Sequence, residues 1–211
     1  MIWGFGDSFT WGFGCREDGP LPEYYTVYKK PGDKIWMEWL GEWFDEDIMN
    51  ISQNGASNDK IFDWVIENFD NFKENDKVII GMSIWGRMDI PMDDEWISIM
   101  SAWEYGGLLG LERQVRRNLI DEKFLETIVN YQHFFSQNKL WEKKWRLRFD
   151  FIVNQLKKKN CQTLLFQIQE PIVLKQHNIK QDSGIMDGHF SFTGHKKFAE
   201  ILYKRLSSNL I

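Results

Sequence analysis

Met1-Ile2-Trp3-Gly4-Phe5-Gly6-Asp7-Ser8-Phe9-Thr10-Trp11-Gly12 opens the chain, and its reading decides the fold. Met1 to Phe5 is a short apolar run, as expected of a buried strand. The run stops at Gly6-Asp7-Ser8, three residues that favour turns, so the strand breaks there. Working outward, Ile48 and Ile51 predict a brief second strand that ends in the loop Ser52 to Ala56. Val78-Ile79-Ile80-Gly81-Met82 is nearly continuous in apolar character, the pattern of a central parallel strand covered on both faces. Thr163 to Ile168 predicts another strand.

Helical periodicity fills the gaps between these runs. Asp33 is placed to cap a helix with Trp36, Trp39, Leu40 and Trp43 on one face, and Ser57 to cap one carrying Ile61, Phe62, Val65, Phe69 and Phe72. Two helices are expected at about Asp121 to Phe135 and Lys139 to Lys158, the second with Trp141, Trp145, Phe149, Ile152, Val153 and Leu156 aligned. A last helix runs from Thr193, with Phe198, Ile201, Leu202 and Leu206 facing inward. Strands alternating with helices imply an α/β fold with a parallel sheet. The stretch Arg87 to Gly110, with Pro91, Asp93-Asp94-Glu95 and Gly106-Gly107, reads as an inserted loop or lid with short helical pieces. The whole insertion covers about 87–145.

Composition narrows the function. A chain of 211 residues suits one domain spanning 1–211, and 43% apolar with 27% charged residues is a globular balance. A net charge of -5 disfavours nucleic acid, whose phosphates need concentrated Lys and Arg. The basic run Lys157-Lys158-Lys159 reads as a solvated helix C-terminus, where cations suit the dipole. Cys15 and Cys161 make no disulfide framework, no cationic and apolar leader opens the chain, and no apolar stretch has the length of a membrane span. The expectation is a cytoplasmic protein. No cluster has metal-ligand spacing, and no cofactor is expected.

Functional residues in open parallel sheets follow the strands. Ser8 does so directly. A serine hydroxyl becomes a nucleophile when a base takes its proton and donors hold the developing oxyanion; a strand-to-helix turn exposes Oγ and supplies free backbone N–H groups. Gly4 and Gly6 begin a dinucleotide fingerprint, but Phe9 stands where its third glycine belongs. A P-loop and a Gly-x-Ser-x-Gly elbow are both absent. Near the other end lies Asp187-Gly188-His189-Phe190-Ser191-Phe192-Thr193-Gly194-His195. A catalytic serine needs an imidazole, and the imidazole needs a carboxylate to fix its tautomer. His189, beside Asp187 in a loop, is preferred to His195, whose place at a helix start suits capping or packing.

Gly6-Asp7-Ser8-Phe9-Thr10-Trp11-Gly12 resembles the first block of the SGNH (GDSL) hydrolases. Asp187-Gly188-His189 with Gly194-His195 and Ala199 resembles their final block, in the variant with one residue between Asp and His. Asn54-Gly55-Ala56-Ser57-Asn58-Asp59 resembles the block that supplies the oxyanion-hole glycine. The resemblance spans nearly the whole chain and implies a flavodoxin-like three-layer α/β/α fold and hydrolysis through an acyl-serine intermediate. Ser8 is then the nucleophile, His189 the base and acid, Asp187 its orienter, and the Ser8 and Gly55 N–H groups oxyanion donors. One block departs: Gly81-Met82-Ser83-Ile84-Trp85-Gly86-Arg87 lacks the family's Asn after the central strand. Asn58 is the first candidate to replace that donor, then Ser83 and Arg87. Arg87 is also a candidate for binding an acidic part of the substrate or pairing with Asp93-Asp94-Glu95.

The functional expectation is a serine esterase acting on a small-molecule or glycan ester, with a carbohydrate O-acetyl group as first substrate. Trp11 and Trp85 flank the chemistry and offer faces for a sugar. Two other readings stand beside it: a lipase- or thioesterase-type acyl hydrolase, whose apolar lid carries Trp96, Trp103, Leu108 and Leu109, and an inactive binding module that keeps the hydrolase fold.

Overall fold

The computed structural model describes residues 1–12, 34–83, 87–92, 95–99, 123, 126–127, 130, 139–167, 190 and 192–208. Four parallel strands form the central sheet in the order β2-β1-β3-β6: β1 (Ile2–Gly6), β2 (Ile48–Ser52), β3 (Lys77–Met82) and β6 (Gln162–Gln167). Register is set by pairs such as Gly4 with Asn50 and Ile79, and Ile79 in turn with Leu164. Five described helices accompany it: α1 (Ser8–Trp11), α2 (Trp36–Phe44), α3 (Asn58–Glu67), α4 (Lys139–Lys158) and α5 (Phe192–Ser208).

Alternation along the strands explains why the sheet is covered twice. Trp3, Phe5, Val78, Ile80 and Met82 pack with Ile61 and Val65 of α3 and with Trp145, Phe149, Ile152 and Leu156 of α4. Ile2 and Ile79 pack on the other face with Trp36, Met37 and Leu40 of α2 and with Phe198, Leu202 and Leu206 of α5. Successive strand residues point to opposite faces, so one apolar run feeds two cores. The result is the three-layer α/β/α arrangement read from the sequence. Burying a side chain of this size contributes roughly 1.5–3 kcal/mol before entropy is counted.

Three boundaries differ from expectation. The helix capped by Ser57 stops at Glu67, and a 3-10 turn over Phe69–Asn71 carries the chain to Phe72, which still reaches the first core. The helix expected from Asp33 starts at Trp36, where the Ile35 N–H donates to Glu38 Oε2 at 2.9 Å. Asp33 lies outside the described residues. The start of the insertion is not a loop with helical pieces but an antiparallel pair, β4 (Met88–Met92) with β5 (Glu95–Ile99). Ile90, Trp96, Ile97 and Ile99 favour extended backbone, and Pro91 is tolerated because a two-stranded ribbon has only edges. Most of the helix expected near Asp121 to Phe135 lies outside the described residues. Among the described residues, no helix is long and apolar enough to cross a membrane.

At the amino ends of β1 and β3, a polar cluster closes the sheet. Asp76 Oδ2 accepts from the Trp3 indole N–H at 2.9 Å and the Lys73 N–H at 3.0 Å, while Oδ1 lies 3.2 Å from the Met1 amine. Burial pushes the Asp76 pKa up, but these donors outweigh it and hold it below the usual carboxylate value. A lowered folded-state pKa stabilises above the unfolded value and is lost as pH falls through the folded one. Asp76→Asn should therefore lower the thermal midpoint at neutral pH, with a loss of about 1–3 kcal/mol. The gap to the wild type should narrow in melts taken below about pH 4.

Candidate active site

The strand order places a reversal at the centre of the sheet. The chain leaves β1 toward β2 on one side and leaves β3 toward β6 on the other. The carboxyl ends of β1 and β3 flank that crevice, the position where open α/β sheets bind ligands. Asp7-Ser8 follows β1, and Ser83 follows β3.

Ser8 begins α1, a helix of four residues that cannot sustain itself by local bonding. Tertiary bonds hold it. Asp7 caps it through Oδ1, which accepts from the Phe9 N–H at 3.2 Å. At its other end the Trp36 indole donates to the Phe9 carbonyl at 3.1 Å, and the Asn50 amide to the Thr10 carbonyl at 3.1 Å. Gly12, at φ 89°, turns its N–H back to the Ser8 carbonyl at 3.0 Å. The helix also needs room. A Cβ on Gly6 would stand 2.1 Å from Thr10 Oγ1, so only glycine lets α1 settle against β1.

Asp7 does more than cap. Its Oδ2 accepts from Ser83 Oγ at 3.0 Å and from Arg87 Nη1 at 3.0 Å, and that same Nη1 donates to Ser83 Oγ at 3.0 Å. Asp7, Ser83 and Arg87 are all buried. Arg87 therefore pairs with Asp7; Asp93 and Asp94 of the acidic cluster lie outside the described residues. The role of Asp7 was missed in the sequence, because its partner lies 80 residues away.

Asn58, the first residue of α3, is buried and bonds both ways to the Ser83 backbone: Nδ2 donates to the carbonyl at 3.0 Å, and Oδ1 accepts from the N–H at 2.9 Å. This bonding clamps the end of β3 and leaves one Nδ2 hydrogen for another acceptor. Gly55 sits in the turn closed by the Ala56 N–H to the Gln53 carbonyl at 3.1 Å. Its φ is 81°, and a Cβ there would meet nothing within 4 Å. Trp11, at the end of α1, is exposed.

Asp187, His189 and Trp85 lie outside the described residues. The neighbouring Phe190 is described: its ring packs edge-on against Phe9 with centroids 5.1 Å apart. The residue after His189 thus touches the residue after Ser8. His195 is buried, with Nδ1 accepting from the Trp36 N–H at 3.4 Å and its ring packed edge-on to Phe190 at 5.4 Å. Among the described residues, no group of three or more His, Cys, Asp or Glu could hold a metal. Cys161 Sγ lies 3.3 Å from the Lys73 carbonyl, and burial raises its pKa, as for an inert thiol.

No protein-family model matches this chain, and neither does any curated protein sequence. Among solved structures, it is similar to a G-D-S-L family protein from Desulfitobacterium hafniense DCB-2, at 13% identity and TM-score 0.40 over 100% of this chain and 98% of that one. It is also similar to a carbohydrate esterase at 14% identity and TM-score 0.47, over 98% of this chain and 67% of that one.

The Asn58 clamp makes a direct prediction. Asn58→Ala strips partners from a buried N–H and a buried carbonyl, and should lower unfolding stability by about 2–3 kcal/mol in a urea titration.

Proposed function

We propose that this chain is a serine esterase that cleaves a carboxylic ester through an acyl-serine intermediate, with Ser8, His189 and Asp187 as its catalytic set. The observation that carries this reading is the Phe9–Phe190 contact, since it joins the two chain segments that hold the proposed nucleophile and base. Ser8 follows β1 at the sheet's reversal and begins a helix whose turn is held by Asp7. His189 takes the Ser8 proton as Oγ bonds to the carbonyl carbon, and then delivers it to the departing alcohol oxygen as the C–O bond breaks. Water enters by the same route in reverse, and Asp187 keeps the imidazole in the required tautomer.

The oxyanion donors in this scheme are the N–H groups of Ser8 and Gly55, with the remaining Nδ2 hydrogen of Asn58 as the third. Gly55 takes the left-handed backbone, at φ 81°, in the loop that follows β2. The substrate proposed first is an O-acetylated carbohydrate: Trp11, exposed three residues beyond Ser8, offers an aromatic face on which a sugar can stack.

Ser8→Ala should lower turnover of a short-chain aryl ester by several orders of magnitude and abolish labelling by a fluorophosphonate, with the fold retained. A correctly folded wild type inert to both reagents would overturn the proposal. His189→Ala should be far more damaging than His195→Ala in the same assay; the reverse order would transfer the base to His195. The pH–rate profile should rise as the catalytic imidazole loses its proton, because only neutral imidazole accepts the proton from Ser8.

A further inference from the structure

Asp7 poses an electrostatic problem for the chemistry just proposed. A buried carboxylate stands one residue from Ser8. Negative charge grows on the substrate oxygen as Ser8 attacks, and a neighbouring anion in a low-dielectric site opposes it. Asp7 also has a structural task, since its Oδ1 caps the four-residue helix that Ser8 begins.

Arg87 resolves the conflict. Its Nη1 lies 3.0 Å from Asp7 Oδ2, both side chains are buried, and the same nitrogen donates to Ser83 Oγ. Ser83 in turn spends its own hydroxyl hydrogen on Asp7, so that hydrogen is not available to an oxyanion. Resting on the esterase reading, we infer that Arg87 is a positioning residue that acts through Asp7: it cancels the carboxylate's field at the reacting oxygen while leaving Asp7 free to cap α1. This assigns a task to the segment where the family's Asn is missing. Ser83 and Arg87 there serve the nucleophile's turn.

A charge-compensating role differs from a substrate-binding one in what restores it. If Arg87 neutralises Asp7, removing the carboxylate as well should return much of the lost rate. If Arg87 held a substrate anion, removing Asp7 would restore nothing.

The test uses the full chain and a neutral short-chain aryl ester, with kcat and KM resolved and thermal midpoints recorded for each variant. Arg87→Met should lower kcat about a hundredfold, the size of one uncompensated charge near the reacting atoms, with KM within about threefold. Arg87→Lys, which keeps the charge, should stay within about tenfold of wild type. Asp7→Asn combined with Arg87→Met should recover at least about tenfold over Arg87→Met alone. An unchanged kcat in folded Arg87→Met, a loss confined to KM, or no recovery in the double variant would overturn the inference. Should Arg87→Met fail to fold because Asp7 is left buried and unpaired, the double variant decides. Folded and within about tenfold of wild type it upholds the role, and folded but slower than that it overturns it. A wild type inert to both aryl ester and fluorophosphonate overturns the esterase reading and this one together. An active wild type with an unaffected Arg87→Met overturns this one alone.

Discussion

The Asp7 carboxylate joins three parts of the molecule that the backbone alone would leave loose. One oxygen caps the first turn of α1 at the Phe9 N–H; the other gathers the Ser83 hydroxyl and the Arg87 guanidinium. The end of β1, the end of β3 and the short helix carrying Ser8 are therefore fixed to one another by a single side chain. Asn58 secures the same corner from below by bonding to both backbone groups of Ser83. Removing one partner of such a buried network leaves a charge or a donor stranded, which is far more damaging than the net worth of the bond.

Much of this was legible because it is local. The apolar run before Gly6, the Ser57 cap and the stripe of Trp145, Phe149, Ile152 and Leu156 each declare themselves within one turn or one strand. The parallel sheet followed from the alternation of strands with helices. What was hidden is non-local. Arg87 had a nearby acidic cluster in the sequence and found its partner in Asp7, because the parallel sheet brings the carboxyl ends of β1 and β3 side by side. Asn58 read as a spare oxyanion donor, and only the packing of α3 against β3 reveals that half of its bonding capacity goes to Ser83. The β4–β5 ribbon was obscured by Pro91 and three consecutive acids, residues that usually mark loops.

His195 shows how packing separates two equivalent letters. Both imidazoles of the final block satisfy the requirement for a base on paper. One of them is enclosed among Trp36, Phe190 and the start of α5, with Nδ1 occupied by a backbone N–H. The other is His189, on which the proposed chemistry depends, one residue before the ring that meets Phe9.

The account stands on the juxtaposition of Ser8 and His189. A crystal structure of the chain carrying a phosphonate on Ser8 tests it most directly. The account predicts a His189 ring nitrogen at about 3 Å from Oγ, with Asp187 bonded to the other nitrogen. His189 turned away from the adduct, with another side chain bonded to Oγ, would contradict it.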